Sequence, residues 1–390
     1  MDLVNSTIRP PDDDGFYLPV ADMAARQPGG VLAERRVTPA AFGRLPMSVD
    51  AWQLQYRTTD LTGAPEAATT TVLFPRGDHR GLLSFQCAID AVTPRCSPSY
   101  ALRLGARAAG SLAQLEFGQV VAALRRGWVV SIPDHCGFEG RLGAAREPGY
   151  RVLDGVRAAR RFGMDRGTFG LDVGLWGYSG GGLATLWAAE VAADYASELP
   201  MIGAVAGSPV GDPANALRRL SSGRFAGFPI MFIAGLRRAY PQVDDVLVDH
   251  ADARLRAAVD TAERFTTVPL LIRLRGMDLG AHLRDGVDGL LADPRLASVL
   301  ADIRPGGSAS AMPLLIQQGM RDEVISVSDV DDLVDRYRSV GTTVDYRRLP
   351  YGAHLPLEFW TARSALDWLQ EQPNAKVEGL SRTGKRDVLT

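Results

Sequence analysis

A serine stands between glycines at Gly177-Tyr178-Ser179-Gly180-Gly181, in the pattern G-x-S-x-G. A serine hydroxyl is a weak nucleophile until a positioned base takes its proton, and that base needs a carboxylate to fix its tautomer. The glycines suit a serine on a sharp strand-to-helix turn, where backbones approach too closely for larger side chains. The chain holds 41 glycines. Chance would supply the five-residue match in on the order of one in four such sequences, so context decides. An apolar run, Val173-Gly174-Leu175-Trp176, leads into the motif, and a run with small residues, Gly182-Leu183-Ala184-Thr185, leads out of it. That order of strand, turn and helix predicts Ser179 as a nucleophile.

When a serine occupies such a turn, the acid and then the base follow it along the chain. Of the five histidines only His250, His282 and His354 come after Ser179. His250 and His282 fall among helical surface patterns and are expected to face solvent. His354 ends Pro350-Tyr351-Gly352-Ala353-His354, read as a loop beyond the last strand, from which it reaches back as the general base. The strand Leu314-Leu315-Ile316-Gln317 runs into a loop holding Asp322, the expected acid, with Glu323 as a neighbour able to mimic it. Asp329, Asp331 and Asp332 open the next helix, where acidic residues are expected for dipole reasons alone. The oxyanion of a tetrahedral intermediate needs backbone donors: the N–H of Gly180 and one from the loop beginning Ile89-Asp90-Ala91, which carries no HGGG-type run.

The elements that must position these groups alternate. Strand-like runs are Trp52 to Thr58, Ala68 to Phe74, Leu82 to Ile89, Trp128 to Ile132, Val173 to Trp176, Ile202 to Ala206, Leu314 to Gln317 and Val344 to Leu349. Helical runs are Leu112 to Arg126, Tyr150 to Phe162, Leu183 to Tyr195 and Val327 to Val340. Arg151, Arg157, Arg160 and Arg161 are expected to mark a solvated face. Such alternation predicts a mainly parallel doubly wound sheet, which together with the serine turn is expected to be an α/β-hydrolase fold. Residues 213–305 break the rhythm and read as an inserted helical cap, or lid, between core segments 46–212 and 306–370. Residues 1–45 read as an N-terminal arm laid over the core, and 371–390 as a C-terminal tail.

Composition narrows the function classes. The 390 residues are 46% hydrophobic and 23% charged, with 43 Lys+Arg against 45 Asp+Glu and a net charge of -2. No basic excess is available for a phosphate backbone, so nucleic acid is not an expected partner. Cys87, Cys96 and Cys136 are too few and scattered for a disulfide scaffold or a zinc site, so no metal is expected. A Cys87–Cys136 bridge is open to consideration, but buried free thiols are the preferred reading. No apolar run is long enough to span a membrane. The opening residues lack a basic region followed by an apolar one, so no secretory leader is read in the chain as given, and the cytoplasm is preferred unless a leader was removed.

The residues also resemble a known family, the secretory lipases. The likeness rests on the serine turn with Leu183 to Glu190, Tyr195-Ala196-Ser197-Glu198-Leu199-Pro200, Gly207 to Asp212, Gln318-Gly319-x-x-Asp322 and Phe16-Tyr17-Leu18-Pro19, and runs over roughly residues 14–370. It implies triacylglycerol lipase or esterase activity, a helical cap acting as lid and acyl tunnel, no metal and no cofactor. It also implies an oxyanion-hole aspartate at Asp90. Two departures stand out: Ile89 replaces the family's usual acidic residue, and the cysteine often tied to a cap cysteine, here Cys96, has no cap partner.

The expected reaction is hydrolysis of a small-molecule or lipid ester through an acyl-enzyme, with at most transient contact with a lipid interface. Tyr178, Phe225, Phe228 and Phe232 are the expected substrate contacts, although Phe225 to Ile233 reads equally as the cap's own core. Acyl transfer, amide hydrolysis and a non-catalytic binding role are the alternatives.

Overall fold

The computed structural model describes residues 8–168 and 170–372, so most of the predicted tail lies outside the described residues. Among the described residues nine strands form one sheet: β1 (Val31–Arg36), β2 (Asp50–Thr59), β3 (Pro65–Phe74), β4 (Gly81–Gln86), β5 (Trp128–Pro133), β6 (Val173–Tyr178), β7 (Met201–Gly207), β8 (Leu314–Gly319) and β9 (Val344–Leu349). Their spatial order is β1-β2-β3-β5-β4-β6-β7-β8-β9. The first three strands and β5 pair antiparallel, and from β5 onward every neighbour is parallel.

Strand β1 corrects one expectation. The arm contributes an edge strand, pairing Arg36 with Trp52 and Glu34 with Leu54. Its exposed Glu34 and Arg36 suit an edge, where charge deters pairing with another chain.

Because side chains alternate along a strand, adjacent apolar residues enter different layers. Leu82, Val129, Leu175 and Ala204 pack on one face beneath α2 (Glu147–Phe162), α3 (Gly180–Tyr195) and α11 (Val327–Ser339). Leu83, Val130, Trp176 and Val205 pack on the other, beneath α1 (Phe117–Arg125) and α12 (His354–Glu371). The helix expected from Leu112 is interrupted. A 3-10 turn at Leu112–Gln114 precedes α1, and buried Glu116 lies between them.

Between β7 and β8 lie α4 (Pro213–Leu220), α5 (Gly227–Ala239), α6 (Gln242–His250), α7 (Ala253–Ala262), α8 (Thr267–Arg273), α9 (Gly286–Ala292) and α10 (Pro294–Asp302). Their apolar faces form a separate cluster, which Leu183 and Trp187 of α3 join to the sheet layer. His250 and His282 are half-buried rather than solvent-facing. His250 Nε2 meets Asp293, which also caps α10, and His282 Nδ1 meets Asp252, which also caps α7.

The arginines of α2 correct another expectation. Arg151 is fully buried, and donates to Glu147, to Glu66 at 2.6 Å and to the His135 carbonyl at 3.1 Å. Arg157 pairs with Asp154 and Glu198, and Arg161 donates to the Pro28 carbonyl.

Candidate active site

Ser179 caps the N-terminus of α3 with φ 53° and ψ -119°, a left-handed backbone that L side chains rarely adopt. Its N–H donates to the Gly207 carbonyl at 2.8 Å, fixing the turn against β7. The neighbouring glycines are steric necessities. A Cβ on Gly181 would fall 1.9 Å from the Gln86 carbonyl oxygen, and one on Gly177 would fall 2.3 Å from that of Gly181.

His354 is the first residue of α12, so the base rides on a helix rather than the expected loop. Its Nε2 lies 2.9 Å from Ser179 Oγ, and its Nδ1 lies 2.8 Å from Asp322 Oδ2. Asp322 Oδ1 accepts the Val324 and Ile325 N–H groups, both at 2.8 Å. Burial alone would raise the Asp322 carboxyl, but the His354 hydrogen bond and charge and these two N–H donors hold it below its ordinary range. Glu323 has separate work. Its Oε2 accepts the backbone N–H of His354 at 3.0 Å, and Arg224 pairs with its Oε1. The two adjacent carboxylates therefore divide the histidine, one taking the ring and the other the main chain.

Tyr178 is not on the cavity wall. Its buried hydroxyl donates to the His354 carbonyl at 2.6 Å and lies 3.0 Å from Ser208 Oγ, so it braces the start of α12. Phe225 also stands off the wall, its ring 6.1 Å from that of Phe228 with the Arg224 guanidinium over it.

A cavity opens beside Ser179. Phe228 and Phe232 line it, with Leu183, Trp187, Leu217 and Met231 among the apolar residues of α3, α4 and α5. Gly180 and Asp90 lie at the Ser179 end, and Asp90 adopts φ 38°. Burial lifts the Asp90 carboxyl to about 6, against the pull of His354. Ile89 sits in an apolar nest with Ala91, Cys96 and Cys136, a setting that could not hold an unpaired acid.

All three cysteines are buried and free. The loop is joined to the cap by hydrogen bonds instead. Thr267 Oγ donates to the Asp90 carbonyl at 3.1 Å, Val268 N to the Gly110 carbonyl at 3.0 Å, and Arg238 to the Val92 carbonyl at 2.8 Å.

His135 also lines the cavity, although it precedes Ser179 and falls outside the serine-acid-base order. Burial lowers it to about 4, helped by the charge of Arg151, so the ring is neutral and donates from Nε2 to the Cys87 carbonyl at 2.8 Å. The signal for it was its place just past the end of β5, on the crest that carries the other site loops.

Residues 102–379 match the family described as "Secretory lipase". The chain belongs to the secretory lipase family. A Mycobacterium tuberculosis protein named "Probable inactive lipase" is 44% identical over 374 residues, covering 94% of this chain and 83% of that one. "Lipase A" of Arthroderma benhamiae is 34% identical, covering 93% and 80%. Candida antarctica lipase A in its closed state superposes with a TM-score of 0.80 at 24% identity, over 95% of this chain and 89% of that one, a likeness of α/β-hydrolase fold. Membership supports an ester hydrolase, and the name of the Mycobacterium relative makes activity a question for the site itself.

Proposed function

We propose that this secretory lipase family member is an active carboxylic ester hydrolase working through Ser179, His354 and Asp322. One observation carries the reading: the Ser179, His354 and Asp322 side chains form an unbroken hydrogen-bonded chain at the end of a largely apolar cavity. Ser179 Oγ attacks the ester carbonyl while His354 Nε2 takes its proton, and Asp322 stabilises the imidazolium. The tetrahedral oxyanion is held by the N–H groups of Gly180 and Asp90. Collapse expels the alcohol, which leaves with the proton from His354, and the acyl group stays on Ser179. A water then gives its proton to His354, attacks the acyl-enzyme and releases the acid, restoring the serine.

The acyl part fits the Phe228 and Phe232 side of the cavity, whose lining is mainly apolar. A lipid-water interface suits the exposed Tyr351, Leu355, Phe359 and Trp360 flanking or following His354 in the chain. Hydrolysis of p-nitrophenyl esters of increasing chain length by wild type and Ser179→Ala tests the reading. Turnover by wild type alone is expected, with a fluorophosphonate labelling Ser179. A wild type inert on every ester, or an equally active alanine variant, would overturn it.

A further inference from the structure

Behind the reaction centre lies a second pair of acids. Glu116, at the mouth of α1, and Glu358, one turn after His354 on α12, are both buried, and their carboxyls neighbour each other. Glu116 also accepts the Ala88 N–H, at 2.9 and 3.1 Å from its two oxygens, and Ala88 stands two residues before Asp90. Glu358 Oε1 accepts from Gln119 Nε2 at 2.8 Å. The groups that face the pair are Cys87 at the end of β4, Asp90 in its loop and His354 on α12. Two bare carboxylates that neighbour each other cannot both stay ionised in such an interior.

We propose that Glu116 and Glu358 share one proton, and that this acid-to-carboxylate bond is a positioning device tying the Asp90 loop to the helix that carries His354. In it, Glu116 is the neutral donor and Glu358 the acceptor. Burial, and then the charge of Glu358, push Glu116 well above its ordinary range, while burial lifts Glu358 only to about 7 because Glu116 and His354 pull it down. The proposal rests on the hydrolase reading for its kinetic consequences, but not for the state of the pair.

The conservative change separates a proton donor from a mere filler. In Glu116→Gln the amide N–H₂ still donates to Glu358 and its carbonyl still accepts from Ala88, so kcat and KM should stay within about threefold of wild type. Glu116→Leu loses both bonds and should lower kcat on the order of 100-fold, with KM little changed, because the donor loop shifts. Glu358→Gln removes a negative charge one turn from His354, so the acid limb of the kcat/KM profile should move to lower pH by about half a unit. A carboxylic-acid carbonyl band should persist in infrared spectra of wild type in mildly alkaline buffer and vanish in Glu116→Gln. An amide variant as damaged as the leucine variant, an unmoved acid limb, or no such band would overturn the proposal. The band needs no turnover, so inertness on every ester would sink the hydrolase reading while the pair is still judged by spectroscopy.

Discussion

A Cβ on Gly180 would stand 2.2 Å from the Asp90 carboxylate oxygen Oδ1. The two residues proposed to hold the oxyanion are thus in mutual van der Waals contact, and neither can change shape alone. Gly180→Ala is expected to push the Asp90 loop outward and lower kcat on the order of 100-fold, with the melting temperature little changed. Kinetics on p-nitrophenyl butyrate and a thermal melt check this, and a variant with wild-type turnover would remove the loop from the oxyanion site.

The division of labour between Asp322 and Glu323 gives unequal costs. Asp322→Asn presents the wrong group to His354 Nδ1 and should lower kcat on the order of 10⁴-fold. Glu323→Gln keeps an acceptor for the His354 N–H and should cost about tenfold or less. Comparable losses in the two variants would contradict the assignment.

Trp187 should set the preferred acyl length. It lies eight residues along α3 from Ser179, about 12 Å at the helical rise. It lines both the cavity and a separate polar cleft with Arg146, Tyr150, Glu190 and Asp194. Trp187→Ala joins the two spaces, so the ratio of kcat/KM for hexadecanoate over butanoate esters should rise about tenfold. An unchanged ratio would place the end of the acyl site elsewhere.

Stability should carry the signature of Asp134. Burial lifts its carboxyl to about 7, although Ser99 donates to it from Oγ at 2.5 Å and from N at 2.9 Å. The unfolded carboxyl ionises near ~3.9, so between these values the folded chain binds more protons than the unfolded one. The resulting stabilisation is full below about pH 4 and is lost as pH rises through about 7, on the order of 4 kcal/mol in all. Urea unfolding of wild type and Asp134→Asn across that window should show the asparagine variant falling less steeply. Parallel curves would mean that Asp134 is ionised throughout.

The serine turn was legible because every residue in it answers to a local demand: buried strand, strained turn, close-packed helix. Asp322 and His354 were legible from chain order, since a parallel sheet brings the ends of its strands to one crest. Tyr178 was not, because the direction of its hydroxyl depends on where α12 begins, 176 residues later. Arg151 was misread because its charge resembles its neighbours', while its partner Glu66 comes from β3. Strand β1 was hidden by its charges, which belong to an edge and mimic a loop.

The hydroxyl of Thr267 reaches from the first residue of α8 to the carbonyl of Asp90. Were the cap to lift away from the sheet, that bond would break, and with it a restraint on the strained Asp90 beside Ser179. Thr267 therefore couples the seat of that helical cover to the backbone of the proposed oxyanion donor.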